Sequence, residues 1–256
     1  METVTSKDGT RIGFDRLGSG PPVVLVCGAS VTRGADARLA ELLSTGFTVL
    51  NYDRRGRGDS TDTPPYAIER EVEDLAAVID AAGGSATVWG SSSGGALALI
   101  AADQGLPISK LAMWEPPFVP EGFPQPPSDQ VEQYETMIAD GRRGDAVEYF
   151  MTKVVGMPAE FAAQARSQPW WGATEAIAHT LAYDARIMRS IEDPVKLASG
   201  VETPTLVNAG TVVPWMSIEA NALADAFPKG EVRILEGQSH DVDMDVLAPV
   251  LKTFFA

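Results

Sequence analysis

Residues 86–95 read Ala-Thr-Val-Trp-Gly-Ser-Ser-Ser-Gly-Gly, and a run of small and apolar residues follows at 96–102. The first part is typical of a buried strand, and the small residues after it favour a helix. Gly90, Ser92 and Gly94 form a G-x-S-x-G pattern at the junction. Between a strand and a helix, this pattern holds the serine in a tight turn and exposes its hydroxyl. We therefore predict that Ser92 is a nucleophile, with an ordinary Gly/Ser-rich turn as the alternative.

The rest of the chain alternates between apolar runs of strand length and segments with helical spacing of apolar residues. Strands are predicted at 23–27, 47–52, 86–89, 110–114, 205–209 and 232–235. Helices are predicted around 39–43, 69–82, 96–102 and 216–227, and at the C-terminal end. Repeated βα units predict an α/β fold, with a mostly parallel sheet and helices on both faces.

A proline-rich stretch that begins at Pro116-Pro117 interrupts this alternation until about Gly200. Within it the pattern predicts helices only, at 131–140, 144–155, 159–167 and 174–189. We therefore divide the chain into a core, residues 1–117 and 201–256, and a helical cap inserted at 118–200. An insertion after the carboxyl end of a sheet strand lies near the edge where open α/β sheets bind ligands. We expect the cap to cover the functional site.

Composition and charge narrow the possible functions. The chain has 256 residues, 45% of them hydrophobic, which suffices for one α/β domain with an insert. A net charge of −15 argues against a nucleic-acid partner and against an anionic membrane surface. The N-terminal residues do not resemble a secretory signal, and no apolar run approaches the ~18 residues that span a bilayer. A single cysteine cannot form an internal disulfide, so we expect a protein of the reducing cytoplasm. We expect its partner to be a small-molecule substrate. The oligomeric state is not indicated.

The sequence contains two histidines. His240 lies in the predicted loop between the last strand and the final helix, at the carboxyl edge of the sheet. An imidazole at this edge can reach Ser92 and accept its proton, so we predict that His240 is the general base. His179 lies in the insert, where we expect it to pack or to form hydrogen bonds. Contact with a substrate from above is its alternative role.

The order and spacing of these motifs resemble the α/β-hydrolase superfamily over essentially the whole chain. The matching segments are the Ser92 turn, His240, the turn Val26–Ala29 and the loop Tyr52–Ser60. The resemblance implies an eight-stranded, mostly parallel sheet that carries a nucleophile, an acid and a histidine in that order. It also implies an oxyanion hole formed by two backbone N–H groups, which by position are those of Ala29 and Ser93.

Two segments of this resemblance have alternative interpretations. Cys27 stands where many relatives have histidine, and as a nucleophile it lacks both a comparable turn and a base. A small buried residue at a strand end is the favoured interpretation. The loop that contains Arg54, Arg55 and Arg57 could clamp an anion. It has no P-loop signature, and the resemblance implies a structural loop in which arginine and aspartate pair to brace turns.

The acid is where the sequence departs from the family pattern. Most relatives carry an aspartate shortly after the strand at 205–209, and here Val213 occupies that position. Some members supply the acid from the end of the preceding core strand, where this chain has Glu115. The prolines that follow Glu115 cannot continue a strand, so the chain turns away there. We predict that Glu115 is the acid. Alternatively, Glu115 is a structural carboxylate, and the acid is Asp241 or Asp243 or is missing from a two-residue Ser–His site.

The sequence therefore predicts a serine hydrolase that cleaves a small or medium, hydrophobic ester, thioester or lactone through an acyl-enzyme on Ser92. There is no H-E-x-x-H motif and no glycine-rich phosphate fingerprint, so we expect neither a metal nor a cofactor. Relatives with epoxide hydrolase or haloalkane dehalogenase activity carry aspartate at the position of Ser92, which disfavours those activities. The alternatives are a lyase, cyclase or perhydrolase of the same fold, or a receptor-like binding protein. The side chains predicted to contact substrate are Trp114, Trp170, Trp171, His179 and Trp215. For those in the insert, the alternative role is to hold its helices together.

Overall fold

The computed structural model describes residues 1–256, which form one eight-stranded sheet. The strands are β1 (Glu2–Thr5), β2 (Arg11–Leu17), β3 (Pro22–Val26), β4 (Thr48–Tyr52), β5 (Ala86–Ser91), β6 (Ile108–Trp114), β7 (Thr205–Gly210) and β8 (Gly230–Leu235). Their spatial order is β1-β2-β4-β3-β5-β6-β7-β8. The β1–β2 and β2–β4 pairs are antiparallel and the other pairs are parallel. The predicted α/β class and mostly parallel sheet are confirmed.

The antiparallel strands β1 and β2 were not among the strands predicted from periodicity. β1 is short, polar and largely exposed at the sheet edge, so it lacks the apolar run that marks a buried strand. β2 places Ile12 and Phe14 in the core, but Gly13 stands between them. The carbonyl of Gly13 accepts the N–H of Asp53, which attaches this edge to the loop after β4.

Five helices flank the sheet: α1 (Ala37–Leu43), α2 (Ile68–Ala81), α3 (Ser93–Asp103), α10 (Pro214–Ala226) and α11 (Met244–Phe255). Successive residues of a strand point to opposite faces of the sheet. In β3, Val24 and Val26 pack in the cluster that contains residues of α2, α3 and α10. Val23 and Leu25 pack in the cluster that contains residues of α1 and α11. Both faces are therefore covered, as expected for parallel strands.

The segment between β6 and β7 contains helices and no strand. The helices are α4 (Gln130–Ala139), α5 (Arg143–Tyr149), α6 (Ala159–Ala165), α7 (Trp171–Ala176), α8 (Leu181–Ser190) and α9 (Pro194–Ser199). A π-helical turn at Phe150–Val154 extends α5. None of the helices in the protein has the length and apolarity needed to cross a membrane.

The prediction of one continuous helix over 174–189 is wrong. The chain leaves α7 at Ile177, passes through a 3₁₀ turn at Ala178–Thr180 and only then enters α8. The Thr180 hydroxyl donates to the Ile177 carbonyl at 2.8 Å, and such a local bond competes with helical continuation. Ala178 and Leu181 are buried on either side of the break, so the apolar spacing does not reveal it.

The insert, residues 118–200, packs in two ways. Most of its helices share a hydrophobic cluster of their own, to which Tyr134, Val147 and Leu181 contribute. Its last part joins the main core instead, through side chains that include Ile187 and Ala198. Helix α8 therefore contributes to both clusters and connects the insert to the sheet layer.

Candidate active site

Ser92 lies between β5 and α3 in a strained turn. Its backbone has φ 53° and ψ −126°, in a region that non-glycine residues rarely adopt. Its N–H donates to the carbonyl of Trp114 at 2.8 Å, and its carbonyl accepts from the N–H of Gly95 at 2.9 Å. The residue is half-buried. The strand–turn–helix geometry predicted for this stretch is therefore present.

Two glycines allow the turn to be this tight. A Cβ on Gly90 would lie 2.5 Å from the carbonyl oxygen of Gly94. A Cβ on Gly94 would collide with the carbonyl oxygens of Val26 and Cys27 at the end of β3. Only glycine permits backbone segments to approach this closely. The start of α3 is consequently held against the turn that follows β3.

The amides of Ala29 and Ser93 have no hydrogen-bond acceptor within the chain. Ser93 is the first residue of α3, where backbone N–H groups have no partner in the helix. Ala29 follows Gly28, at which a Cβ would lie 3.0 Å from the Cβ of Ser92. Both unpaired donors are thus close to Ser92, and the helix N-terminus favours negative charge there.

Glu115 follows β6 directly and reaches the imidazole of His240. Its Oε2 lies 2.8 Å from Nδ1 of His240, and its Oε1 accepts the N–H of Gly210 at 2.9 Å. The backbone of Glu115 has φ 41°, and its side chain is fully buried. The N–H of Glu115 donates to the carbonyl of Asn208 in β7 at 2.9 Å. The carboxylate is therefore fixed through both oxygens.

The side chains at the alternative positions, Val213, Asp241 and Asp243, form no hydrogen bond with the His240 ring. Val213 is half-buried and packs against the main core. The Asp243 carboxylate accepts the N–H of Asp245 and caps α11. Asp241 is exposed, and its side chain forms no hydrogen bond within the chain.

The His240 ring is 43% exposed and has one free nitrogen. In the neutral imidazole, the tautomer with its proton on Nδ1 donates to this carboxylate and leaves a lone pair on Nε2. No direct hydrogen bond joins Nε2 to Ser92 Oγ in this structure, and hydrogen bonds of this type are often long in ligand-free proteins. The indole of Trp114 donates to the His240 carbonyl at 3.0 Å, while the Trp114 carbonyl accepts the Ser92 amide. Trp114 thereby connects the backbones of both residues.

The arginine loop is buried, and each of its three arginines pairs with a carboxylate. Arg54 donates to the two carboxylate oxygens of Glu71 at 2.7 and 2.9 Å. Arg55 does the same with Asp74 at 2.7 and 2.8 Å. All three arginines of the loop are at most 1% exposed, and Arg57 pairs with an aspartate of the insert. The structural interpretation of this loop agrees with the geometry.

Asp184 in α8 is the part of this site that sequence reasoning missed. Its carboxylate accepts from Arg54 at 2.7 Å, from Arg57 at 2.6 Å and from the Ser93 hydroxyl at 2.7 Å. Burial opposes ionisation, but Arg57 and Arg54 hold the pKa of this carboxyl below its usual value. In the sequence Asp184 is one polar residue of an amphipathic helix, and nothing local distinguishes it from a solvated one.

The four tryptophans predicted to contact substrate occupy different environments. Trp114 is fully buried in the core, so it supports the His240 loop and offers no surface to a substrate. Trp171 is buried in the insert, with the Arg166 guanidinium 5.4 Å from its ring centre. Trp215 is half-buried against the main core. Trp170 is 45% exposed on the insert.

Both nitrogens of His179 face groups of the protein. Nδ1 lies 2.8 Å from a guanidinium nitrogen of Arg143, and Nε2 lies 3.5 Å from the carboxylate of Asp62. The ring also contacts Gly56 in the arginine loop, since a Cβ there would lie 2.9 Å from Nε2. These contacts attach the insert to that loop, and substrate contact by His179 stays a prediction.

Cys27 is buried at the end of β3, and burial raises the pKa of its thiol to about 11. A thiol with such a pKa is not a thiolate near neutral pH, which argues against Cys27 as the nucleophile. No group of three or more histidine, cysteine, aspartate or glutamate side chains is placed to hold a metal ion.

The comparisons with known proteins agree with this fold. The family model described as the alpha/beta hydrolase family matches residues 23–250, and this chain belongs to that family. An alpha/beta hydrolase from Sphaerobacter thermophilus, known from its crystal structure, is 51% identical, with 100% of both chains covered and a TM-score of 0.92. These similarities support a hydrolase.

Two further relatives are more distant. A zearalenone hydrolase of Cladophialophora bantiana is 32% identical over 104 residues, which is 38% of this chain. The match spans only 39% of that curated relative's length. The esterase EaEST from Exiguobacterium antarcticum is 21% identical, with 99% of this chain and 98% of that chain covered and a TM-score of 0.75. This last likeness shows the fold alone.

Proposed function

We propose that this protein is a serine hydrolase that cleaves small or medium, hydrophobic carboxylic esters, thioesters or lactones. The proposal rests above all on the contact between Glu115 and His240 at the sheet edge that also carries Ser92. A carboxylate, an imidazole and a hydroxyl from separate loops are the groups that acyl transfer by a serine requires.

In the first step Ser92 Oγ attacks the substrate carbonyl carbon while Nε2 of His240 takes its proton. The carbonyl oxygen becomes an oxyanion, which accepts hydrogen bonds from the free amides of Ala29 and Ser93. Donors fixed in advance at such a position contribute about 3–4 kcal/mol each to barrier lowering in other serine hydrolases. The tetrahedral intermediate then collapses. The bond to the leaving oxygen or sulfur breaks, and the leaving group takes the proton from Nε2.

Deacylation repeats these steps with water. His240 removes a proton from the water, whose oxygen attacks the acyl carbon and forms a second oxyanion. When this intermediate collapses, Ser92 Oγ recovers the proton from Nε2, and the carboxylic acid is released. Glu115 holds the Nδ1 proton in place and stabilises the imidazolium in both halves of the reaction.

The insert would act as the cap over this site. Helix α8 packs beside α3, and its Asp184 contacts Ser93 directly, so this part of the insert is next to the proposed nucleophile. The aromatic and methionine residues of the insert, among them the exposed Trp170, support the proposal of a hydrophobic substrate. We further propose a cytoplasmic location, because a single buried cysteine forms no internal disulfide.

The test compares the hydrolysis of p-nitrophenyl acetate, butyrate and octanoate by wild type, Ser92→Ala and Ser91→Ala. Ser92→Ala should lower kcat/KM by at least ~10³-fold, because the nucleophile is lost. Ser91 is the last residue of β5 and serves as the matched control, so Ser91→Ala should stay close to wild type. Hydrolysis that survives in Ser92→Ala would contradict the proposal. Absence of turnover with any ester would favour the binding-protein alternative.

A further inference from the structure

The carboxylate of Asp184, in the insert, contacts Ser93 beside the Ser92 turn and two arginines of the arginine loop. Its Oδ1 accepts hydrogen bonds from Ser93 Oγ and from Nη1 of Arg54, each at 2.7 Å. Its Oδ2 accepts from Nη2 of Arg57 at 2.6 Å. The residue is 5% exposed, so these contacts are shielded from solvent and poorly screened.

Arg57 continues from Asp184 to the turn after β3. Its Nη1 donates to the carbonyl oxygen of Gly28. This carbonyl and the N–H of Ala29 belong to the same planar trans peptide, so they point in opposite directions. A guanidinium that holds the carbonyl therefore also fixes the direction of the Ala29 N–H. A charged donor on the carbonyl additionally polarises the amide and makes its N–H a stronger donor.

Asp184 also connects directly to Ser93, the residue that carries the second proposed donor. Its hydroxyl is held by Asp184, and its own backbone N–H is the other proposed oxyanion donor. Arg54 lies at the centre of the arrangement, because its Nη1 also approaches Ser93 Oγ at 3.3 Å and the Cys27 carbonyl at 3.4 Å. The Asp184 carboxylate is thus hydrogen-bonded to Ser93, whose N–H is one proposed donor. Through Arg57 it is also connected to the Gly28–Ala29 peptide, whose N–H is the other.

A purely stabilising role accounts poorly for this arrangement. Buried ion pairs often add little net stability compared with apolar groups of the same size, because desolvating the charges is costly. The nearby pair of Arg55 and Asp74 braces the same loop without contacting Gly28 or Ser93. The geometric difference between the two pairs is that only the Asp184 contacts reach the proposed oxyanion donors.

We propose that Asp184 and Arg57 are positioning residues that align the oxyanion hole and couple its geometry to the seating of the insert. This inference depends on the proposed function, since it assumes that a carbonyl oxygen becomes negatively charged between Ala29 and Ser93. The effect is confined to states that carry an oxyanion. Loss of Asp184 should therefore affect kcat and the binding of transition-state analogues more than KM.

The experiment compares Asp184→Asn with the matched control Asp74→Asn, each a buried aspartate paired with an arginine of the same loop. We measure kcat and KM for p-nitrophenyl butyrate, the inhibition constant of an alkyl trifluoromethyl ketone, and thermal stability. Asp184→Asn should lower kcat by about 10- to 100-fold, with little change in KM; this is less than the ~10²- to 10³-fold loss that follows removal of an oxyanion donor itself. The ketone, which forms a tetrahedral oxyanion on the serine, should bind more weakly by a similar factor. Asp74→Asn should lose thermal stability but retain kcat and ketone affinity.

If Asp184→Asn does not fold, Ser93→Ala and Arg57→Lys carry the same test. Ser93→Ala removes the hydroxyl contact and keeps the backbone donor, so a selective loss of kcat and of ketone affinity is again expected. Arg57→Lys keeps the charge but cannot hold Asp184 and Gly28 as a planar fork. Equal kinetics for these variants and Asp74→Asn would overturn the inference while leaving Ser92-dependent hydrolysis intact. Failure of the proposed function would instead appear as wild-type activity that is absent or independent of Ser92.

Discussion

Glu115 and His240 are 125 positions apart in the sequence, and their side chains meet at 2.8 Å between Oε2 and Nδ1. The carboxylate comes from the end of β6, whereas the resemblance places the usual acid after β7, where this chain has Val213. β6 and β7 are neighbours in the sheet, and the Gly210 amide at the end of β7 still holds the carboxylate. A carboxylate at the end of β6 can therefore reach this histidine.

Glu115→Gln should lower kcat by about 10²- to 10⁴-fold, because an amide cannot stabilise the imidazolium and can hold the wrong tautomer. KM should change much less. Steady-state kinetics with p-nitrophenyl butyrate measure both values. Glu236→Gln, a change of an exposed glutamate in the loop that leads to His240, is the control and should behave as wild type. Full activity in Glu115→Gln would show that this carboxylate is structural.

Gly94→Ala should destabilise the protein by several kcal/mol, on the order of 3 or more, because the added methyl collides with backbone atoms that cannot move aside. The free energy of unfolding in urea provides the measurement. Gly172→Ala in α7 is the matched control, since a Cβ there meets no atom within 4 Å. It should be neutral or stabilising by up to ~1 kcal/mol. Equal effects of the two changes would contradict the close packing at the Ser92 turn.

Cys27 should react slowly with Ellman's reagent at pH 8 in the folded protein and rapidly in urea, because burial raises the pKa of its thiol to about 11. Cys27→Ala should retain Ser92-dependent esterase activity. Fast labelling of the folded protein, or loss of turnover in a well-folded Cys27→Ala variant, would restore the cysteine as a candidate nucleophile.

Asp36 should make the protein less stable as the pH rises. It is 2% exposed, its Oδ2 has no hydrogen-bond partner, and burial raises its pKa to about 7 from an ordinary value of 3.8. Because the folded pKa is the higher one, its contribution to stability is complete below about pH 4 and is lost through pH 7. The loss between pH 5 and 8 amounts to roughly 2–3 kcal/mol.

Urea unfolding at pH 5 and pH 8 tests this dependence. Asp36→Asn removes the titrating group, so its free energy of unfolding should fall less between the two pH values than that of wild type. Asp245→Asn, which changes an exposed aspartate paired with Arg38, should follow the wild-type dependence. An Asp36→Asn curve parallel to wild type would show that the carboxyl is ionised in the folded protein at pH 5.

The sequence was most informative where local pattern and backbone geometry agree. The Ser92 turn and the parallel strands could be predicted, because glycine spacing and apolar runs act over a few residues. Glu115 could be nominated because some members of the family that the chain resembles supply the acid from the end of this strand, and the prolines after Glu115 turn the chain away there. The catalytic roles of Ser92 and Glu115 stay predictions.

Features that depend on tertiary contacts could not be predicted in the same way. The break at Ile177 leaves the apolar periodicity intact, so only the folded chain reveals it. Asp184 resembles any polar residue of an amphipathic helix until arginines from a distant loop surround it. Trp114 was predicted at a substrate surface, but its position in a central strand buries it.

The role of Ser92 as the nucleophile is tested most directly by peptide mass spectrometry of the native protein, which identifies the residue that a fluorophosphonate probe modifies. We predict a single adduct on Ser92 that is absent in Ser92→Ala and forms more slowly in Glu115→Gln. No adduct on an active wild-type protein, or an adduct on another residue, would contradict it.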